Sequence, residues 1–242
     1  MTTASGGALR ILRISWKVFC ITLGVLVLAA IALQCWYFAQ VLWWRSFEPA
    51  TSAFMEARLE RMQAKDPKAK LAQQWAAYER ISVQLKRAVV AAEDAKFVDH
   101  EGFDWEAISK AIEKNERKGR VVAGASTISQ QLAKNLFLSG TRSWLRKGQE
   151  AAITWMLETA LTKRRILELY LNYAEWGEGV FGAEAAARYH FGVSAGALSA
   201  SQAAFLASIL PSPRRYGRGQ VTPYLAGRIE TILARMPAAQ IP

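Results

Sequence analysis

The sequence predicts an all-α domain preceded by one N-terminal transmembrane helix. Residues 18–38 form an apolar run whose only clearly polar members are Thr22 and Gln34. A run of about 20 such residues is long enough to cross a bilayer as a helix. From residue 82 onward, apolar residues recur at helical spacing, and the alternation typical of strands is absent over any useful length.

The chain is strongly basic, with a net charge of +11 over 242 residues. Such a charge favours a polyanionic partner, which can be nucleic acid, an anionic lipid surface or a phosphorylated substrate. No nucleic-acid-binding motif accompanies the charge, so we predict no nucleic-acid partner and favour the membrane and phosphate alternatives. The length leaves room for a membrane anchor and one domain of ordinary size.

Cysteine and histidine give no indication of a disulfide or of a metal site. Cys20 and Cys35 both lie in the apolar run, too far apart along one helix to bridge. His100 and His190 are the only histidines, so a histidine-based metal centre is not predicted.

Basic residues precede the apolar run and set its predicted orientation. Arg10, Arg13 and Lys17 place the N-terminus in the cytoplasm and the remainder of the chain outside it. Tryptophans at both ends of the run, Trp16 on one side and Trp36, Trp43 and Trp44 on the other, resemble interfacial belts. We divide the chain into a cytoplasmic N-terminus (1–17), a transmembrane anchor (18–44), a periplasmic stem (45–80) and a helical domain (81–242).

Two alternatives for the apolar run stay open. A cleaved signal peptide is the stronger, although the run is long and no Ala-x-Ala site follows it. A lipoprotein cysteine at Cys35 is the weaker, because Gln34 stands where a small residue is needed.

The first predicted helices follow the anchor directly. Residues 47–67 form a charged stem with a weak apolar stripe, and Pro67 ends it. The spacing of Leu71, Trp75 and Tyr78 predicts a further helix. Ser82 is the expected N-cap of the next one, which carries Leu85, Ala88 and Val89 on its buried face.

Glycines mark the ends of later helices. Gly119 closes the helix predicted over residues 105–118, and Gly140 closes the one over residues 127–138. Gly177, Gly179 and Gly182 indicate a loop. The remaining helices are predicted over residues 143–161, 164–174, 183–189, 200–210 and 223–236, with a basic, proline-containing segment at 211–218.

Two acids, Glu93 and Asp94, follow the apolar run 88–92 at the end of a predicted helix. A carboxylate at the margin of an apolar wall has its pKa raised by desolvation, which suits it to proton transfer. Gly102 then marks a turn, and Asp104 is the expected N-cap of the next helix. Taken alone, acids at a helix end are more often solvated or capping, so this simpler alternative stays open.

Amides and a lysine lie together near the start of another predicted helix. The buried stripe of this helix leaves Gln130, Gln131 and Lys134 on a different face. Amide and ammonium groups beside a helix N-terminus suit phosphate oxygens. The alternative is structural, because Thr127 and Gln130 have the spacing of a capping box.

The following segment carries Arg142, Arg146, Lys147 and Glu150. Glu150 can form ordinary helix-surface ion pairs with the two preceding cations, or it can be a carboxylate kept ionised beside a site for an anionic leaving group. The apolar residues nearby belong either to the core or to a surface that dips into lipid. They are Leu136, Phe137, Leu138, Trp144 and Leu145.

In this order along the chain, five groups of residues resemble the motifs of the lysozyme-like peptidoglycan glycosyltransferases. The resemblance runs from about residue 81 to residue 216 and departs from the usual pattern at Ala125, where the family often has a second glycine. The matching groups are Glu93-Asp94-x-x-Phe97-x-x-His100-x-Gly102-x-Asp104, Gly124-x-Ser126-Thr127-Ile128-x-Gln130-Gln131-x-x-Lys134-Asn135, Arg146-Lys147-x-x-Glu150, Lys163-x-x-Ile166-Leu167-Glu168-x-Tyr170-Leu171-Asn172 and Leu206-Ala207-Ser208-Ile209-Leu210-Pro211-Ser212-Pro213.

This resemblance implies a lysozyme-like helical glycosyltransferase domain that polymerises lipid II into glycan strands at the bacterial inner membrane. Glu93 matches the general base, and Glu150 matches a second glutamate that assists on the donor side, directly or through a divalent metal (Mg or Mn) bound with the substrate diphosphate. No organic cofactor is implied. The matched or adjoining positions expected to bind substrate are Asp94, Phe97, Ser126, Thr127, Gln130, Gln131, Lys134, Asn135, Arg142, Arg146 and Lys147.

The resemblance carries three further expectations. No Ser-x-x-Lys or Lys-Thr-Gly motif follows, which indicates a monofunctional enzyme without a transpeptidase half. Glu168 and Asn172 are expected to be structural. By analogy with inverting glycosidases, Glu93 and Glu150 should face one groove with their carboxyl groups roughly 6.5–9.5 Å apart or somewhat more.

Two other functions stay open. A glycan-cleaving enzyme of the same fold needs neither a cationic diphosphate site nor a lipid-dipping segment, whereas this sequence has residues suited to both. A non-catalytic, membrane-anchored partner of cell-wall synthases should lack Glu93 or Glu150, and both are present. Other cell-wall synthesis or division proteins remain candidate partners, because small residues in the anchor permit close helix packing.

Overall fold

The computed structural model describes residues 4–120, 122, 124–138, 143–217 and 221–242. This part of the chain is predominantly α-helical. The helices are α1 (Ala4–Trp43), α2 (Ala53–Gln63), α3 (Val83–Glu93), α4 (Trp105–Lys118), α5 (Ile128–Phe137), α6 (Trp144–Ala160), α7 (Lys163–Tyr173), α8 (Ala183–Phe191), α9 (Ala200–Ile209), α10 (Pro213–Tyr216) and α11 (Pro223–Arg235). The all-α class with an N-terminal apolar helix is therefore confirmed.

Local capping chemistry sets the starts of the helices that carry the predicted motifs. The side chains of Ser82, Asp104, Thr127 and Ser143 each accept a hydrogen bond from a backbone N–H in the first turn of the following helix. Each cap satisfies a donor that has no partner inside the helix. The predicted caps at Ser82 and Asp104 are thus confirmed, as is the capping box of Thr127. The predicted closing residue Gly140 lies outside the described residues.

The helix predicted from Leu71, Trp75 and Tyr78 is wrong. Residues 72–73 form strand β1 (Ala72–Gln73), and a single 3-10 turn follows at Tyr78–Arg80. Non-local partners take the backbone groups that a helix would need, because the side-chain amide of Asn172 donates to Ala76 O and its oxygen accepts from Ala76 N, both at 2.9 Å.

Three short strands form a small sheet that the sequence did not indicate. β2 (Glu175–Gly177) pairs antiparallel with the central strand β3 (Val180–Phe181), which pairs in parallel with β1. The strands are two or three residues long. Such strands are too short for alternation to be visible in a sequence.

The core of the domain lies around α5, α7 and α9. α5 packs against α6 and α7, while α9 packs against α3 and α11. The largest fully buried side chains of this core are aromatic, and they include Trp176, Tyr170, Tyr173, Phe97 and Phe181. Glu168 and Asn172 on α7 bind the backbone of the segment before α3, since Glu168 also accepts from Tyr78 N at 2.7 Å. These two residues are structural, as expected.

α1 is long and apolar enough to cross a membrane over Trp16–Trp43, a stretch of 28 residues. This length is compatible with single-pass anchoring. The apolar group near α5 and α6 is divided between two roles: Leu136 and Leu138 are buried, whereas Trp144 and Leu145 are 93% and 89% exposed.

Candidate active site

Glu93 is the last residue of α3, and two different elements hold its carboxylate. Oε2 accepts a hydrogen bond from the Gln131 side chain of α5 at 2.9 Å. Oε1 accepts one from the Arg228 guanidinium of α11 at 3.1 Å. Burial is the largest influence and raises the pKa of Glu93 above its ordinary value. The Gln131 hydrogen bond and the charges of Arg228 and Lys134 oppose this shift and lower the pKa in part. A carboxylate under these opposing influences is suited to accept a proton.

Gln131 connects Glu93 to a buried tyrosine. The Tyr170 hydroxyl donates to Gln131 Oε1 at 3.0 Å, which leaves the Gln131 amide group free to donate to Glu93. Burial raises the pKa of Tyr170 well above its ordinary value, so the hydroxyl stays protonated and remains a donor. The series Tyr170–Gln131–Glu93 therefore fixes the direction of the hydrogen bond to the candidate base.

Asp94 and Phe97, both predicted to bind substrate, are engaged within the protein. Asp94 is buried and accepts from the Ile128 N–H at 2.9 Å, and its other oxygen lies 2.9 Å from His100 Nε2. Phe97 is fully buried beneath the Lys163 ammonium group, at 4.7 Å from its ring centroid. Asp94 ties the turn after Glu93 to the start of α5, and Phe97 packs that turn into the core. Substrate binding by these two residues stays a prediction.

Thr127 and Gln130 are largely committed to capping α5. The Thr127 hydroxyl donates to Gly102 O at 2.7 Å, and Gln130 Oε1 accepts from the Thr127 N–H at 3.0 Å. The structural alternative considered for this pair is therefore present in the molecule. The cap also joins the turn at Gly102, which follows Glu93 in the chain, to the start of α5.

Glu150 on α6 is buried and paired with two cations. One of its oxygens lies 3.1 Å from Arg146 Nη1, and the other binds the Lys147 ammonium group. Lys134 on α5 interacts electrostatically with both Glu150 and Glu93. Burial lowers the pKa of Lys134, and these two carboxylates raise it. Arg142, the remaining predicted cation, lies outside the described residues.

A cavity of about 230 Å³ brings most of the predicted donor-binding residues together. Its walls belong to α5, α6 and the loop before α5. The lining residues are Ser126, Gln130, Gln131, Lys134, Arg146, Lys147 and Glu150. Among the described residues, Nε of Arg146 is buried without a hydrogen-bond partner, so this cationic site retains an unused donor.

Two neighbouring cavities adjoin this site. One, of about 310 Å³, is lined by Glu93 and shares Ser126 with the cationic cavity. The other, of about 520 Å³, shares Gln131 and Lys134 with it and also includes Asn135 and Tyr170. The two glutamates therefore border adjoining cavities. Their expected separation stays a prediction.

The described residues do not build a metal site of their own. They contain no group of three or more histidine, cysteine, aspartate or glutamate side chains that could hold a metal ion. Both carboxylate oxygens of Glu150 are already paired with cations. A divalent ion at this position would need ligands from the substrate.

Sequence reasoning missed Arg228 and left Tyr170 without a role. Tyr170 was visible as part of a motif, but no local pattern indicates that its hydroxyl orients Gln131. Arg228 is 135 residues from Glu93 in the chain, so no spacing rule connects them. Only the packing of α11 against α3 and α9 brings this guanidinium to the carboxylate.

A largely buried carboxylate beside a cavity lined by cations, on a helical scaffold, is the arrangement expected of an enzyme that transfers a group from an anionic leaving group to a hydroxyl. A model of the transglycosylase family matches residues 59–237. The chain belongs to this family, and it is a glycosyltransferase. The resemblance seen in the motifs is confirmed.

Three relatives are similar over nearly the whole chain, and each is named a biosynthetic peptidoglycan transglycosylase. The protein from Azoarcus sp. (strain BH72) is 58% identical over 224 residues, covering 91% of this chain and 96% of the relative. That from Nitrosospira multiformis is 54% identical over 227 residues, covering 94% and 97%. That from Aromatoleum aromaticum is 53% identical over 242 residues, covering both chains completely.

Proposed function

We propose that the protein polymerises lipid II into β-1,4-linked glycan strands, with inversion and release of undecaprenyl diphosphate. The observation that carries this proposal is the position of Glu93. It is a largely buried carboxylate, with its side chain 11% exposed, and it is held by Gln131 and Arg228. Beside it, a cavity gathers Lys134, Arg146 and Lys147 around Glu150. This arrangement provides a base and an anion site in adjoining spaces.

In the proposed reaction, Glu93 takes the proton from the 4-hydroxyl of the acceptor's N-acetylglucosamine. The hydroxyl oxygen attacks the anomeric carbon of the donor's N-acetylmuramic acid as the bond to the diphosphate oxygen breaks. The diphosphate leaves with the bonding electron pair, and a single displacement inverts the anomeric carbon. Desolvation makes Glu93 a stronger base than an ordinary surface carboxylate, and its two hydrogen bonds direct it.

On the donor side, Lys134, Arg146 and Lys147 stabilise the negative charge that develops on the leaving diphosphate. Glu150 holds Arg146 and Lys147 in place through its two ion pairs. A divalent cation, Mg²⁺ or Mn²⁺, would be bound chiefly by diphosphate oxygens and would add further charge neutralisation there. None of the protein steps described above depends on it.

We further propose that the catalytic domain lies on the periplasmic side of the inner membrane, with the N-terminus in the cytoplasm. The basic residues before the apolar run support this orientation. A reporter active only in the periplasm, fused after Pro242, should be active, and a reporter active only in the cytoplasm should be silent. The reverse pattern would contradict both the orientation and the access to periplasmic acceptors. Partners in cell-wall synthesis or division remain a prediction.

The test of the function is polymer formation from labelled lipid II by the purified full-length protein, resolved on a gel. Glu93→Gln should abolish polymer formation while donor binding persists, because the amide keeps the shape but cannot accept the proton. A Glu93→Gln protein that still polymerises would refute the mechanism. Consumption of lipid II by the unaltered protein without any polymer would instead support glycan cleavage.

A further inference from the structure

The last turns of α1 pack against the catalytic domain instead of ending in solvent. Tyr37, and Trp44 directly after the helix, contact the Phe137 ring of α5, with centroid distances of 5.0 and 4.9 Å. Val41, between them, is completely buried. These residues recur every three or four positions, so they form one face of the helix. The anchor is therefore docked on the domain through its C-terminal turns.

A reciprocal pair of hydrogen bonds extends this contact into the apolar run. The side-chain amide of Gln34 donates to Gln149 Oε1 at 2.8 Å, and that of Gln149 donates to Gln34 Oε1 at 3.0 Å. Gln34 lies four residues inside the end of the apolar run 18–38, which corresponds to about 6 Å of helix rise. Water is scarce at such a depth, so each amide is the available partner of the other.

Gln149 directly precedes Glu150 in α6, and Arg146 and Lys147 lie less than one turn before it. The amide pair is thus attached to the same turn that arranges the cationic cavity. Trp144 and Leu145, at the start of α6, are exposed and suited to lipid. The amide pair is a polar contact between α6 and the anchor.

We propose that Gln34 and Gln149 form a clasp, the reciprocal amide pair described above, which fixes α6 against the membrane anchor and thereby holds the donor-site cations in their working position. Gln34 and Gln149 are positioning residues, since neither lines the cavity around Glu150. The anchor then has a part in the reaction beyond attaching the protein to the membrane. This effect on the reaction rests on the proposed function, whereas the contact itself does not.

The experiment uses the full-length protein in phosphatidylethanolamine–phosphatidylglycerol vesicles, with Cys20→Ala and Cys35→Ala as the cysteine-free parent. Gln34→Cys and Gln149→Cys are introduced together, and a short bifunctional methanethiosulfonate joins the two thiols until a reductant releases them. In the matched control, Ala32→Cys replaces Gln34→Cys, because residue 32 is exposed and lies about 200° round the helix from residue 34. Linked peptides are identified by mass spectrometry, and polymerisation kinetics are measured before and after linking.

The linker should join residues 34 and 149 but not the control pair. Before linking, kcat should be lower than in the parent by about threefold or more, with little change in KM. A threefold factor corresponds to the free energy of one average hydrogen bond between membrane helices. Linking should restore kcat, and the reductant should remove the gain. Restoration by a covalent joint separates positioning from a loss of fold.

Failure to link residues 34 and 149 above the control would overturn the proposal. So would a doubly substituted protein with the kcat of the parent, or a linked protein that stays slow. A parent protein that makes no polymer would refute the proposed function and the clasp's effect on the reaction together, while the linked peptides would still decide whether the contact exists.

Discussion

The pKa of Glu93, the candidate base, is subject to influences of opposite sign. Burial favours its neutral form, while the Gln131 hydrogen bond and the charges of Arg228 and Lys134 favour the ionised form. In the proposed mechanism, the ionised form is the one that accepts a proton from the acceptor hydroxyl. We therefore expect the residues around Glu93 to set the lower end of the pH range of activity.

We predict that Arg228→Gln moves the acidic limb of the kcat/KM profile for lipid II to higher pH. Removing the guanidinium removes an influence that lowers the pKa of Glu93. Because only ionised Glu93 is active, a higher pKa means that activity is lost at a higher pH as the solution is acidified. Arg188→Gln is the control, since Arg188 pairs with Glu184 at 2.7 Å and lines none of the three cavities of the site. An unchanged limb would show that Arg228 does not tune the base.

We predict that Lys134→Met lowers kcat by about 10²-fold or more, as expected for a group that stabilises transition-state charge. Burial lowers the pKa of Lys134, so its positive charge is lost as pH rises through that lowered value. Any alkaline limb that reports this lysine should disappear in the variant. Helical circular dichroism should not change, and Lys114→Met, at an exposed position on α4, should retain full activity. Full activity of Lys134→Met would remove the case for a diphosphate site on α5.

The turn between α3 and α4 shows how elements are joined around the site. Gly102 has a φ of 86°, a conformation that favours glycine, and its carbonyl accepts the Thr127 hydroxyl that caps α5. Lys163 of α7 binds the carbonyl of His100 in the same turn and pairs with Glu158 of α6 at 2.8 Å. Three helices therefore hold the segment that follows the candidate base.

We predict that Gly102→Ala destabilises the protein more than Gly119→Ala does. Both glycines have positive φ, which costs an alanine about 1–2 kcal/mol. At Gly102 an added Cβ would also lie 2.8 Å from Thr154 Cγ2, whereas nothing lies within 4 Å at Gly119. Overpacking adds about 1–3 kcal/mol, which should be visible in denaturant unfolding of the detergent-solubilised protein. Equal losses for the two variants would contradict the close contact at Gly102.

At the scale of the whole molecule, the segment after the anchor is part of the folded domain. Arg58 of α2 binds both oxygens of Glu175 in β2, at 2.7 and 2.8 Å, and both side chains are buried. The two residues also line the cavity of about 520 Å³ that borders Gln131 and Lys134. The stem helix thus packs on the domain and contributes to a cavity that adjoins the candidate site.

We predict that Arg58→Met costs about 3–5 kcal/mol of unfolding free energy, because it leaves the Glu175 carboxylate buried without its counter-charge. Combining Arg58→Met with Glu175→Leu should recover much of this loss, since the unpaired charge is then gone. Chemical unfolding of the full-length protein measures both variants. If the double variant were no more stable than Arg58→Met alone, the buried charge would not be the cause.

The sequence by itself determined the features that depend on neighbouring residues. The caps at Ser82 and Asp104, the Thr127 capping box and the apolar anchor all follow from patterns within a few positions of the chain. The motif order also identified the family and all seven residues that line the cationic cavity. Such features are local because a helix bonds each residue to one four positions away.

Only the tertiary structure decided the remainder. The segment at residues 71–78 does not form the helix that its apolar spacing predicts, because Asn172 and β3 supply hydrogen-bond partners for its backbone. Phe97 became a core residue, and Arg228 reached Glu93 from 135 residues away. Contacts between distant segments depend on how the helices pack against one another, and that packing leaves no periodic trace in either segment alone.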